Sequence, residues 1–79
     1  MRVHVKLIAT YREHLPDGTN DNTTEVEVPT GSNVREILTP FEIPLDDSSV
    51  ILLNGLTVPL DTVVAEGDTI AAFSAIAGG

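Results

Sequence analysis

Apolar and polar positions alternate from the first residues of the chain. Over residues 2–11, Val3, Val5, Leu7 and Ala9 share one face, while His4, Lys6, Ile8 and Thr10 share the other. A period of two is that of a strand. One face is wholly apolar and the other still carries Ile8, which predicts a strand inside a sheet. Residues 12–22 include Pro16, Asp17, Gly18, Asn20 and Asn22, side chains that favour turns, and predict a long loop. Alternation returns over residues 24–29, with Val26 and Val28 inward, Glu25 and Glu27 outward, and Pro29 as the stop.

The period then changes. Val34, Ile37, Leu38 and Phe41 follow the i, i+3, i+4, i+7 spacing of a helix with one buried stripe. Asn33 stands where a cap belongs, with Glu36 three residues on, the signature of a capping box. Pro40 limits the helix to about two turns, bent or tightened near Thr39, and Glu42 stands where glycine would end it more easily. Residues 49–53 form a nearly continuous apolar run, a strand covered on most sides. Asn54-Gly55 is a strong tight-hairpin signal, because both central positions require positive φ. A short return strand over residues 56–58 follows. Residues 60–66 predict a single helical turn capped by Asp61, then a turn at Glu66-Gly67-Asp68 and a last strand over residues 69–74.

One helix and a handful of strands in this order make an α+β roll of two layers. The compact solution is a β-grasp, or ubiquitin-like, roll: a mixed sheet of about four to five strands with one main helix packed across it. Its first and last strands pair at the sheet's centre. The whole chain of 79 residues is expected to be one domain, 1–79, with residues 75–79 a flexible Gly-Gly tail.

Composition narrows what such a roll does. Lys and Arg number 4 against 12 Asp and Glu, a net charge of −8, so phosphate backbones and anionic lipid repel it and neither nucleic acid nor membrane is an expected partner. No apolar run approaches the roughly 18–20 residues that span a bilayer. The amino-terminal alternation lacks a signal-peptide core, so the expected location is the cytoplasm. Cysteine is absent, which removes disulfides, thiolate metal sites and a cysteine nucleophile. His4 and His14 are too far apart for a helical pair. Asp46-Asp47 and Glu66-Gly67-Asp68 lack the alternating spacing of a calcium loop, and read as solvated turns. No metal site and no bound cofactor are expected, and the chain is not expected to be catalytic alone.

The chain ends Phe73-Ser74-Ala75-Ile76-Ala77-Gly78-Gly79. Two glycines are thin enough to enter a narrow channel. Five residues after Ser74 reach roughly 16–17 Å when extended.

These features together resemble the MoaD/ThiS type of ubiquitin-like sulfur carrier, over essentially the whole chain. The resemblance rests on Val5-Lys6-Leu7, Ala9-Thr10 and Arg12-Glu13, on Val34-Arg35-Glu36-Ile37-Leu38 and on Leu53-Asn54-Gly55. It continues through Glu66-Gly67-Asp68-Thr69-Ile70-Ala71 and the tail. The tail is nearer MoaD, the small subunit of molybdopterin synthase, with Ser74-Ala75 in place of the two prolines usual there. Pro40-Phe41-Glu42 departs from the family's usual helix end.

The resemblance implies that a ubiquitin-activating-type enzyme, using ATP and magnesium, adenylates the Gly79 carboxylate. Sulfur then converts it to a thiocarboxylate, which is donated inside a larger acceptor such as the molybdopterin synthase large subunit. Gly79 would react, Gly78 give access, Ala77 and Ile76 line the channel contact, and Phe73 pack at the docking face or else in the core. Molybdenum or tungsten cofactor synthesis is the expected pathway. A carrier for thiamine or another thiolated metabolite, a protein modifier joined to lysines through Gly79, and a plain interaction module all remain open alternatives. The acidity would steer the chain to basic docking surfaces.

Overall fold

The computed structural model describes residues 1–16 and 21–75. Five strands form a single sheet: β1 (Arg2–Leu7), β2 (Thr23–Glu27), β3 (Ser49–Leu53), β4 (Leu56–Thr57) and β5 (Thr69–Ser74). Their order is β2-β1-β5-β3-β4. β1 and β5 run parallel, and all other pairs are antiparallel. The last strand is therefore inserted between the first and the third, which is the β-grasp arrangement expected.

One helix, α1 (Val34–Leu38), continues into a 3₁₀ turn at Thr39–Phe41. Five residues are too few for a helix to hold alone. The capping box is complete: the Glu36 amide donates to Asn33 Oδ1 at 2.8 Å, and the Asn33 amide donates to Glu36 Oε1 at 3.0 Å. Val34, Ile37 and Leu38 are buried against Val3, Val5, Leu7, Ile70 and Ala72. Burying each larger aliphatic side chain stabilises by roughly 1.5–3 kcal/mol, and this packing holds the short helix. Its C-terminal turn closes at Glu42, whose φ of 61° is left-handed, in the place where the sequence lacked glycine.

Three expectations are corrected. β1 stops at Leu7, not Tyr11; Ala9 turns away with φ 54° and is exposed. The chain then coils through a 3₁₀ segment, Ala9–His14, where the end of the strand and the start of a loop were expected. That segment still brings Tyr11 into the core, the side the strand alternation also gives it, but through a coil and not a strand. Second, residues 60–66 form no helical turn. They run as a strap whose carbonyls receive the helix's first amides, Val34 to Thr62 O at 3.1 Å and Arg35 to Leu60 O at 2.9 Å. Orphan donors at a helix start need such partners, and a helical turn would have used those carbonyls internally. Third, β3 is only partly covered, with Ile51 alone among its residues fully buried.

Candidate functional site

The site is built on β5. Its side chains alternate: Ile70 and Ala72 are fully buried under the helix, whereas Thr69, Ala71 and Phe73 are half-buried on the opposite, uncovered face. Register sets their neighbours. Phe73 pairs with Val50 and Ala71 with Leu52 across β3, and Lys6 pairs with Ala71 across β1. The Ile8 amide donates to Ala72 O at 3.1 Å, which carries Ile8 to the level of Phe73. Phe73, Val50, Leu52, Ala71 and Ile8 thus form an apolar patch at one end of the open face, and none of them packs against the buried core.

The backbone leaves the sheet beside this patch. The Ala75 amide still donates to Ser48 O at 2.8 Å, so the chain is tied to β3 up to the base of the tail. The neighbouring corner is closed by a relay. The Ser49 hydroxyl donates to Pro44 O, so the Tyr11 hydroxyl must donate to Ser49 Oγ, 2.6 Å away. Sequence reading missed this contact; the single tyrosine of the chain was the available signal.

The opposite end of the face is charged. Arg2 reaches Glu27 at 2.9 Å and Glu25 at 3.5 Å, all largely exposed. Pairs of this kind contribute about 0–1 kcal/mol each, and two carboxylates against one guanidinium leave the rim with one net negative charge. Lys6, the only lysine in the chain, lies between rim and patch. Arg2 and Lys6 against Glu25 and Glu27 sum to zero, and Glu66 stands beside them, accepting from the Arg2 amide at 2.8 Å.

Of the site residues read from sequence, Phe73 is placed on the open face, not in the core. Ile76, Ala77, Gly78 and Gly79 lie outside the described residues. His4 and His14 stay apart on separate elements, His14 edge-on to the Tyr11 ring. The acidic turns staple the backbone. Asp68 accepts from Asn54 Nδ2 and the Ala65 amide, and Asp46 accepts from the Ser48 amide and hydroxyl. Among the described residues, no group of three or more His, Asp or Glu is placed to hold a metal ion, and no helix is long and apolar enough to cross a membrane.

Comparison with solved structures finds the same fold over nearly the full chain. Small archaeal modifier protein 1 of Haloferax volcanii superposes with a TM-score of 0.76 at 22% identity, covering 95% of this chain and 98% of that one. A putative molybdopterin converting factor subunit 1 from Pyrococcus furiosus gives 0.75 at 22% identity, with 95% and 98% covered. A complex of subunits 1 and 2 of the molybdopterin-converting factor from Helicobacter pylori includes a chain that gives 0.63 at 17% identity, with both chains fully covered. Comparison with curated proteins returns no match. The family model of ThiS matches residues 5–79, a span from β1 through the terminal glycines. This chain therefore belongs to the ThiS family of ubiquitin-like sulfur carriers.

Proposed function

We propose that this carrier holds its sulfur on the Gly79 carboxylate and delivers it into a larger acceptor subunit, in the synthesis of molybdopterin. The observation that carries the reading is positional. β5, paired on both sides, ends at the edge of an uncovered apolar patch of Ile8, Val50 and Phe73. A partner that covers the patch therefore meets the tail as it leaves the sheet. The solved complex of subunits 1 and 2 of a molybdopterin-converting factor supports a larger partner, and the Pyrococcus match supports the pathway.

The chemistry follows from a chain without thiols. A carboxylate is a poor electrophile, so an adenylating partner, using ATP and magnesium, joins it to AMP as a mixed anhydride. The terminal sulfur of a persulfide attacks the acyl carbon and AMP leaves, giving an acyl disulfide; a thiol of the sulfur donor then cleaves the S–S bond, forming a disulfide and freeing the thiocarboxylate. Splitting one hard transfer into two easier ones is the logic of covalent catalysis. In this scheme the chain itself catalyses nothing. Gly79 is the reacting residue, Gly78 gives access, Ala77 and Ile76 contact the channel, and Phe73 packs against the partner's face.

Intact-mass measurement of the protein from its native cells tests this. Replacement of one carboxylate oxygen by sulfur is expected, abolished by removing Gly79 with folding unchanged. Free carboxylate alone under sulfur-replete conditions would overturn it. The second reading, a modifier joined to lysines, is favoured by the likeness to small archaeal modifier protein 1; high-mass lysine adducts in the same measurement would select it. Transfer to a thiamine precursor or another thiolated metabolite separates from the molybdopterin reading by supplying each acceptor in turn.

A further inference from the structure

A second recessed surface runs along the far edge of β3 and meets the apolar patch only at Val50. β4 pairs only with Leu52 and Leu53, so residues 49–51 have no strand on that side. A groove of about 410 Å³ opens there. Its apolar lining is Leu45, Val50, Ile51, Val58 and Leu60. Leu45, Val58 and Leu60 are partly buried against the core, so the groove is continuous with the packing. Asp46 and Asp47 stand on one rim, both exposed, and neither makes an ion pair among the described residues. The Ser48 hydroxyl and amide hold the Asp46 carboxyl below its usual range and keep it charged.

We infer that this groove is a second docking site, which takes an extended protein segment bearing an aliphatic side chain flanked by lysine or arginine. The aliphatic group fills the space over Ile51, and the basic group meets Asp46 and Asp47. Charge complementarity selects the occupant. No lysine or arginine lines the groove, and a second copy of a chain with net charge −8 would bring like charge to the acidic rim. The open length of strand edge fits an extended segment better than a compact small molecule, for which sites are usually concave on all sides. A segment here reaches the patch at Val50 but leaves Phe73 and Ile8 uncovered, so one partner is able to hold the chain in the groove while another docks over Phe73.

The test is titration of ¹⁵N-labelled protein with the capped peptide Lys-Leu-Lys-Val-Lys and with its glutamate counterpart. Shifts confined to residues 45–51 and 57–60 are expected for the lysine peptide and none for the glutamate peptide. Asp47→Asn is expected to weaken binding about threefold, the range of an exposed ion pair, and Asp46→Asn with Asp47→Asn about tenfold, in variants whose spectra show an intact fold. Shifts spread evenly over Glu13, Glu36 and Glu66 would reveal unspecific attraction and overturn the site. So would shifts centred on Phe73 and Leu52, concentration-dependent shifts without peptide that mark a second copy, or no shifts at millimolar peptide. The readout uses no activating enzyme and no Gly79 chemistry, so its failure leaves the sulfur-transfer proposal standing.

Discussion

Asn54 holds left-handed backbone at φ 51° and spends its whole amide on the next strand. Nδ2 donates to Asp68 Oδ1 and Oδ1 accepts from the Thr69 amide, each at 3.0 Å. Asn54→Ala removes both bonds and the polar side chain that lets asparagine tolerate the left-handed region better than alanine. Each lost bond adds about 1 kcal/mol. A destabilisation of about 2–3 kcal/mol is expected, read as a midpoint shift in denaturant with unchanged slope. Asp46 gives a pH-dependent counterpart. Its folded carboxyl is held low, chiefly by the Ser48 hydroxyl and then by the Ser48 amide, against a small opposing effect of burial. The unfolded chain therefore takes up this proton first as pH falls. The stability so gained is complete above the ordinary carboxylate range and is lost as pH drops through the lowered value. Carbon-13 titration is expected to place Asp46 below the ordinary aspartate value, and Ser48→Ala to bring it part of the way back up.

At the scale of elements, the cap of α1 is a large share of what a five-residue helix has. Asn33→Ala is expected to cost about 1 kcal/mol, measurable by thermal unfolding. This cap, the left-handed helix end at Glu42, the hairpin at Asn54-Gly55 and β5 over Thr69–Ser74 were all legible in the sequence, because each depends on residues within a few positions of one another. What was not legible depends on partners far along the chain. Tyr11 reads as a strand residue until Ser49, 38 positions away, supplies its acceptor. The strap of residues 60–66 reads as a helical turn until the amides of Val34 and Arg35 claim its carbonyls. The groove beside β3 was illegible for the same reason, since its lining comes from segments on either side of the Asn54 hairpin. The functional face was half legible. Phe73 stood out by its place before the tail, but only the register with Val50 and the arrival of Ile8 decide between core and surface.

At the scale of the whole molecule, charge and docking are separated in space. The charged side chains of the strands sum to zero, while ten of the acidic side chains and only Arg12 and Arg35 among the basic ones lie off those strands. Under the proposed docking, long-range attraction to a basic partner would govern how fast the carrier arrives, and the apolar patch how long it stays. Phe73→Ser is expected to leave unfolding nearly unchanged and to speed dissociation from the activating enzyme at least tenfold, whereas raising the salt slows association. Ile70→Ala, on the same strand but facing the core at 0% exposure, is expected to cost about 2–5 kcal/mol of stability. Binding kinetics by surface plasmon resonance and denaturant unfolding separate the two effects. If Phe73→Ser unfolded the protein as Ile70→Ala does, the assignment of faces would be wrong.

The parallel pairing of β1 with β5 also determines how the molecule bears force. A partner that draws the tail into a channel pulls along β5. Four residue pairs join that strand to β1 and five join it to β3. Because the pull runs along the strand and the ladder bonds lie across it, they are loaded in shear, all together, and do not peel open one by one. The carrier can therefore be tugged by its reacting end with its body intact, and it resists threading into an unfolding machine from that same end.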